Sequence, residues 1–144
     1  MLNPENKCAQ LIKDDSIKTL TLKEMFEMQL SLQRDMFARG KGIDYDNGTF
    51  KQKVDNITVQ FRNLVLEFAE MEEMLPFKEW KTYKPEHLLD WVSKEQEIET
   101  KFEYVDMFHF FMNIGLLIGI TPDELSNMYY LKNKENFDRQ NRGY

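Results

Sequence analysis

With a single cysteine, Cys8, the chain can form no internal disulfide, which suits a reducing compartment. An apolar leader is lacking as well. Asn3, Glu5 and Lys7 stand where a secretory signal would be hydrophobic. No apolar run is long enough to span a bilayer: the longest, Phe108 to Ile120, is interrupted by Asn113, Gly115 and Gly119. Nor is there an excess of positive charge. Lys and Arg number 19 against 25 Asp and Glu, a net charge of −6, which argues against a nucleic-acid backbone as partner. These absences point to a soluble, cytoplasmic protein.

Internal repeats, low-complexity tracts and sustained period-two alternation are also missing; only Ile57-Thr58-Val59-Gln60-Phe61 could pass for a strand. What remains is helical spacing in a chain of 144 residues, 42% hydrophobic and 31% charged, the size and balance of one globular domain. The periodicity predicts a short helix over residues 5–14 and a second over 20–38, with Leu22, Met25, Leu32 and Met36 on one side. Gly40, Gly42 and Asp46-Asn47-Gly48 form a loop. A long helix follows from Phe50 to Leu75, stopped by Pro76; Pro85 opens a short segment, and another long helix covers 95–118. Thr121-Pro122-Asp123-Glu124 then carries a cap, a first-turn proline and the glutamate of a capping box. The expected fold is an all-α bundle of five to six helices in a single domain, 1–144.

Two acidic pairs share a spacing. Glu67 and Glu70 lie three residues apart on one long helix, and Glu103 and Asp106 repeat the interval on the next. Residues at i and i+3 share a helix face, so two antiparallel helices could aim four carboxylates at one point, an all-oxygen site for a hard cation such as Mg²⁺. Spacing alone is weak, since Glu24/Glu27, Glu70/Glu73 and Glu135/Asp138 also occur and a solvated acidic face is the commoner outcome. The neighbours discriminate. None of Glu67, Glu70, Glu103 and Asp106 has Lys or Arg one turn away, and all are set among apolar residues, whereas Glu27 has Lys23 and Glu135 has Lys132 and Arg139. Unpaired carboxylates in apolar surroundings repel one another unless a cation neutralises them.

Lys132, Asn136 and Arg139 fall at i, i+4 and i+7, a stripe of donors suited to a polyphosphate, although a salt-bridged terminal helix has the same composition. Gln29 and Gln33 are one turn apart; each could be a surface residue or an amide that reads the edge of a base. Lys78, Trp80 and Lys81 place charge beside aromatic surface just past the first acidic pair. His109 follows Asp106 by three residues and is expected to bond to that carboxylate, because no nucleophile pattern accompanies it.

At these residues the chain resembles the dCTP/dUTP pyrophosphatases of T-even-type bacteriophages, and more distantly the all-α dimeric dUTPases and other nucleotide pyrophosphohydrolases. The resemblance is densest over Lys101–Phe110, Tyr129–Phe137 and Arg139-Gln140, and continues through Gly143-Tyr144. Weaker matches occur at Cys8–Ile12, Met28-Gln29, Leu32-Gln33, Glu67–Glu70 and Trp80-Lys81. It implies that Glu67, Glu70, Glu103 and Asp106 hold Mg²⁺, with Glu70 or Glu67 as the catalytic base. It further implies that Lys132, Asn136, Arg139 and Tyr144 contact phosphates and sugar, joined by a lysine of the 77–81 segment, Lys78 or Lys81. Gln29, with Gln33 as second choice, would read the pyrimidine. The stretch from Glu70 to Trp80 is shorter than in the T-even enzymes, and no large insertion separates Asp106 from Lys132 as it does in cellular dimeric dUTPases. The implied activity is Mg²⁺-dependent hydrolysis of dCTP and dUTP to monophosphate and pyrophosphate by a homodimer, supplying dCMP or dUMP for nucleotide synthesis. Its rivals are a sister pyrophosphohydrolase with another base preference and a non-catalytic helical module that uses the 13% aromatic content as an interface.

Overall fold

The structure, a computed structural model, describes residues 11–12 and 18–143. Four α-helices form there: α1 (Leu22–Ala38), α2 (Phe50–Glu73), α3 (Lys94–Ile118) and α4 (Pro122–Asn141), with one turn of 3₁₀ helix at Pro85–Leu88. The all-α class is as expected, but the described helices number four and a short turn instead of five to six. The helix expected at 5–14 falls largely outside the described residues. Ile57–Phe61, the one strand-like run, lies inside α2, where the apolar spacing on either side carries it.

The helix starts are written in side-chain chemistry. Thr121 accepts from the backbone N–H of Glu124 at 3.2 Å while the Glu124 carboxylate accepts from the Thr121 N–H at 2.8 Å. Thr21 and Glu24 build the same box at α1, with the same two distances. At α2 the pair is Thr49 and Gln52, and Ser93 caps Gln96 at α3. Each box satisfies two amide groups that the first helical turn leaves without partners. At the far end of α3, Gly119 adopts a φ of +78° and Ile120 N–H bonds back to the Gly115 carbonyl at 3.0 Å, the left-handed stop that glycine tolerates best. No single helix among the described residues is long and apolar enough to cross a membrane.

The chain divides into two compact units, with boundaries inside α2 and α3. One is built around Thr58–Phe111; the other comprises Leu20–Ile57 and Met112–Tyr144. In the second, α1 packs on α4, and Phe26, Tyr45, Met112 and Leu117 are the buried large apolar side chains. Gly115 of α3 lets the Phe26 ring approach closely: a Cβ there would stand 3.4 Å from that ring and 3.2 Å from the Ile120 side chain. The loop after α1 is tied down by Arg34, which grips Asp46 with two bonds of 2.7 and 2.6 Å, and by Asp44, whose carboxylate accepts from the backbone of Asp46 and Asn47.

Tyr45, in that loop, is buried, and its hydroxyl has no hydrogen-bond partner among the described residues. Burial pushes its ionisation far above the ordinary value. A buried hydroxyl without a partner costs roughly 1–3 kcal/mol. Tyr45→Phe is therefore expected to leave stability unchanged or raise it by about 1 kcal/mol. Urea denaturation checks this, and a loss above about 1 kcal/mol would show that the hydroxyl is satisfied.

Candidate metal centre

The acidic pairs meet within the Thr58–Phe111 unit. Carboxylate oxygens of Glu67 and Glu70 on α2 and Glu103 on α3 all lie within 4.8 Å of one another. Glu67 and Glu103 are half-buried and Glu70 is exposed. Glu103 offsets part of the rise at the Glu67 carboxyl. Asp106 stands outside this trio, yet near enough that its charge raises the carboxyls of both Glu67 and Glu103. The charge of His109 lowers the Asp106 carboxyl against the larger effect of burial.

The electrostatics follow from crowding. Burial and then the charges of Glu70, Asp106, Glu67 and Glu99 push the Glu103 carboxyl up to about 7. Glu67 is raised by burial first and by Glu70 and Asp106 next; Asp106 is raised by burial. Elsewhere on the same unit the carboxylates behave oppositely. Glu73 is held below its usual range by Lys78, and Glu97 by Lys101 and Lys94. Among the described residues no lysine or arginine lowers the carboxyls of Glu67, Glu103 or Asp106. The cluster's donors are all hard oxygens, and an octahedral ion with oxygen ligands near 2.1 Å sets those ligands roughly 3–4 Å apart. Oxygens already within 4.8 Å of one another need only small side-chain rotations to close on such an ion. The donor set fits a hard divalent cation.

Glu99 was not among the candidate residues. It lies one turn before Glu103, is 2% exposed, and adds to the charge that Glu103 feels. The criterion that singled out the four acids, no Lys or Arg one turn away, applies to Glu99 too and would have found it.

Both glutamines of α1 are buried, Gln29 at 3% exposure and Gln33 at 7%, which removes the surface reading. Gln29 donates from Nε2 to Oδ1 of Asn113, 2.6 Å away on α3. Lys132 and Asn136 are exposed on α4, and Arg139 donates to Glu135 at 3.0 Å, with Arg142 bonding the same carboxylate at 2.7 Å. Tyr144 lies outside the described residues. Lys78 is held by Glu73 at 2.6 Å, and it lines a cavity of about 460 Å³ with Lys81, Tyr83, His87, Trp91 and Gln96. None of the four acids lines that cavity.

A raised carboxyl makes a pH prediction for the metal-free protein. Between 4.5, the ordinary value, and about 7, folded Glu103 keeps a proton that the unfolded chain releases. Stability is therefore greatest below pH 4.5 as far as this group is concerned, and is lost as pH rises towards 7. Unscreened, the rise would correspond to about 3 kcal/mol, which solvent around the half-buried carboxyl reduces to on the order of 2 kcal/mol. Thermal melts in chelator should fall from pH 5.5 to 8, and a saturating divalent cation should reverse the fall at pH 8. A chelated protein equally stable at both values would contradict the buried cluster.

Comparison with known proteins gives a consistent placement. The chain is 38% identical over 102 residues to the dCTP pyrophosphatase of Enterobacteria phage T4, covering 65% of this chain and 60% of that one. It is 44% identical over 79 residues to the dCTP pyrophosphatase of Enterobacteria phage LZ5, covering 53% and 46%. A DNA replication protein of phage T4 matches at 36% over 92 residues, 58% of this chain but 24% of that protein. The chain thus spans about half to three-fifths of the length of the two pyrophosphatases. No solved structure matches it significantly. The sequence profile described as dUTPase covers residues 21–121. The match runs from the capping threonine of α1 to that of α4 and takes in all four clustered acids, so the chain belongs to the dUTPase family.

Proposed function

We propose that this protein hydrolyses dCTP and dUTP to the monophosphate and pyrophosphate with Mg²⁺ as cofactor. The observation that carries the reading is the Glu67, Glu70 and Glu103 trio, with Asp106 beside it and, among the described residues, no lysine or arginine that lowers the raised carboxyls. The two phage relatives named as dCTP pyrophosphatases, and the dUTPase profile, supply the pyrimidine substrates. When bound, Mg²⁺ neutralises triphosphate charge and acidifies the attacking water. Glu67, Glu103 and Asp106 serve as its ligands, the half-buried positions giving them fixed orientation. Glu70, the exposed member of the trio, holds the same cation and takes the proton as water adds to phosphorus. No covalent intermediate forms, because no side chain of the cluster needs to attack. Lys132, Asn136 and Arg139, with Tyr144, contact phosphates and sugar. Lys78 or Lys81 supplies a further cation to the phosphates. Gln29 reads the base, with Gln33 behind it. Such an enzyme would remove dCTP and dUTP from the cytoplasmic pool during phage DNA synthesis.

One set of rates tests this. Measured kcat/KM for dCTP and dUTP should agree within about tenfold, a gap of about 1.4 kcal/mol, and should exceed those for dTTP and dATP. Glu70→Gln and Glu103→Gln should each lose at least about 100-fold at saturating Mg²⁺ with helix content unchanged. Gln29→Leu should lower both pyrimidine rates by roughly tenfold or more, since each base loses buried partners. A wild-type preference for dATP or dTTP would refute the substrate assignment, and near-normal rates in both Gln variants would refute the metal site.

The same reading makes the protein a homodimer. Every buried large apolar side chain among the described residues belongs to the second unit, yet both units expose large apolar groups, Phe61, Leu66, Phe68, Trp80, Tyr104 and Phe111 in the Thr58–Phe111 unit and Phe50, Tyr129, Tyr130 and Phe137 in the other. Aromatic surface of that extent is characteristic of a partnered face. Light scattering at micromolar concentration should return twice the chain mass of 17.3 kDa; a mass near the single-chain value would sink the dimer.

A further inference from the structure

The cavity of about 460 Å³ beyond the end of α2 is lined by none of the four acids, although Glu73 in its wall lies one turn after Glu70. All of its lining belongs to the Thr58–Phe111 unit. Its volume falls within the range of about 300–1,000 Å³ usual for small-molecule sites. Several polar groups of the wall are committed to one another. Lys78 is paired with Glu73 at 2.6 Å, and its backbone N–H donates to the Tyr83 hydroxyl at 3.1 Å. Gln96 accepts from the Val92 N–H at 2.9 Å and donates to the Met74 carbonyl, while Asp90 accepts from the Trp91 N–H at 2.7 Å. These bonds hold the wall in shape. Lys81 and His87 differ. Among the described residues neither side chain forms a hydrogen bond, and Lys81 reaches Glu73 only through its charge.

The lining selects its ligand by chemistry. Two lysines are balanced by two carboxylates, Glu73 and Asp90, so there is no surplus of positive charge for a triphosphate. Lys81, with His87 as a second donor, suits a single phosphate group. Tyr83 and Trp91 add aromatic rings to the wall, the surface on which a base stacks. Asp90 has lone pairs left to accept from an amino or hydroxyl group of a ligand. We propose that this cavity is a nucleotide site apart from the metal centre, binding a nucleoside 5′-monophosphate that restrains turnover. The binding follows from the cavity itself. The restraint rests on the function proposed above, in which Lys81 is one of two lysines offered to the substrate phosphates: an occupant of the cavity withdraws it.

The sequence holds two tryptophans, so in Trp80→Phe the indole emission comes from Trp91 alone. Titrating that protein with dCMP in chelator should quench the emission and saturate. Deoxycytidine and inorganic phosphate, each offering half of the ligand, should bind about tenfold more weakly or worse. Emission that saturating dCMP leaves unchanged would overturn the proposal, and this measurement does not depend on a cavity variant folding. Equilibrium dialysis in Mg²⁺ should count one more dCMP per chain for wild type than for His87→Gln. Equal counts in the two proteins would also overturn it. A count of one for wild type and none for the variant would uphold the cavity and refute nucleotide binding at the metal centre, so the two readings fail separately. In turnover, dCMP should lower kcat for dCTP in wild type but not in His87→Gln; the same inhibition in both would overturn the restraint.

Discussion

Mutual repulsion among carboxylates that neither water nor a basic side chain fully relieves is the constraint on which the rest of this structure turns. Glu67, Glu70 and Glu103 are brought within 4.8 Å on two helices, with Asp106 and Glu99 adding charge nearby. Without compensation such an arrangement opposes folding, and burial together with the neighbouring charges raises the Glu103 carboxyl to about 7. Several acids elsewhere on the described surface are paired with a base. Glu73 takes Lys78, Asp46 takes Arg34, Asp55 takes Lys51, and Glu135 takes Arg139 and Arg142. Such exposed pairs contribute little to stability. They matter here as contrast, because they show that cations are supplied where the fold has no other use for the acid.

The rest of the architecture can be understood as support for keeping that cluster in place. Long helices are suited to it because their i, i+3 geometry is rigid, and capping boxes at Thr21, Thr49 and Thr121 fix where three of them begin. Just beyond the cluster, the Gln96 side chain bonds the Met74 carbonyl at 2.5 Å, and Thr100 bonds the Met74 sulfur at 3.4 Å. Those contacts tie the C-terminal end of α2 to the first turns of α3, close in sequence to the acids that must converge. In the second unit the same economy of apolar burial holds. Phe26, Met112 and Leu117 are buried beside Gln29, Gln33 and Asn113, so a good part of the interior is amide instead of hydrocarbon. Buried amides must be matched, and matching makes an interior specific.

Local signals in the sequence were sufficient for the helices. Their starts depend on side chains bonding backbone within three residues, and their stops on Pro76 and on a glycine at positive φ, Gly119. Hence α1, α2, α3 and α4 lie within a residue or two of the ranges read from periodicity and capping. The acidic pairs were legible for the same reason: i, i+3 on a helix is a local fact, and so is the absence of a neighbouring cation. What spacing could not provide was which rows of α2 and α3 face each other. That depends on the rotation of each helix about its axis and on their relative slide, set by packing along their whole lengths.

Three features accordingly belonged to the tertiary structure alone. Asn113, 84 residues from Gln29 in sequence, becomes its hydrogen-bond partner, a contact no window of sequence contains. Lys78, a candidate for phosphate, is paired with Glu73, because the turn after α2 folds its ammonium back onto the helix end. Three acids form the tight trio, with Asp106 beside it, although four were equivalent by spacing. The sequence by itself determined the elements, the acidic pairs and the family, because helix propensity, capping and i, i+3 spacing act over a few residues. The convergence of carboxylates, the pairing of buried amides and the capture of a lysine were decided only by folding, because each depends on distances between segments that the chain brings together late and by packing.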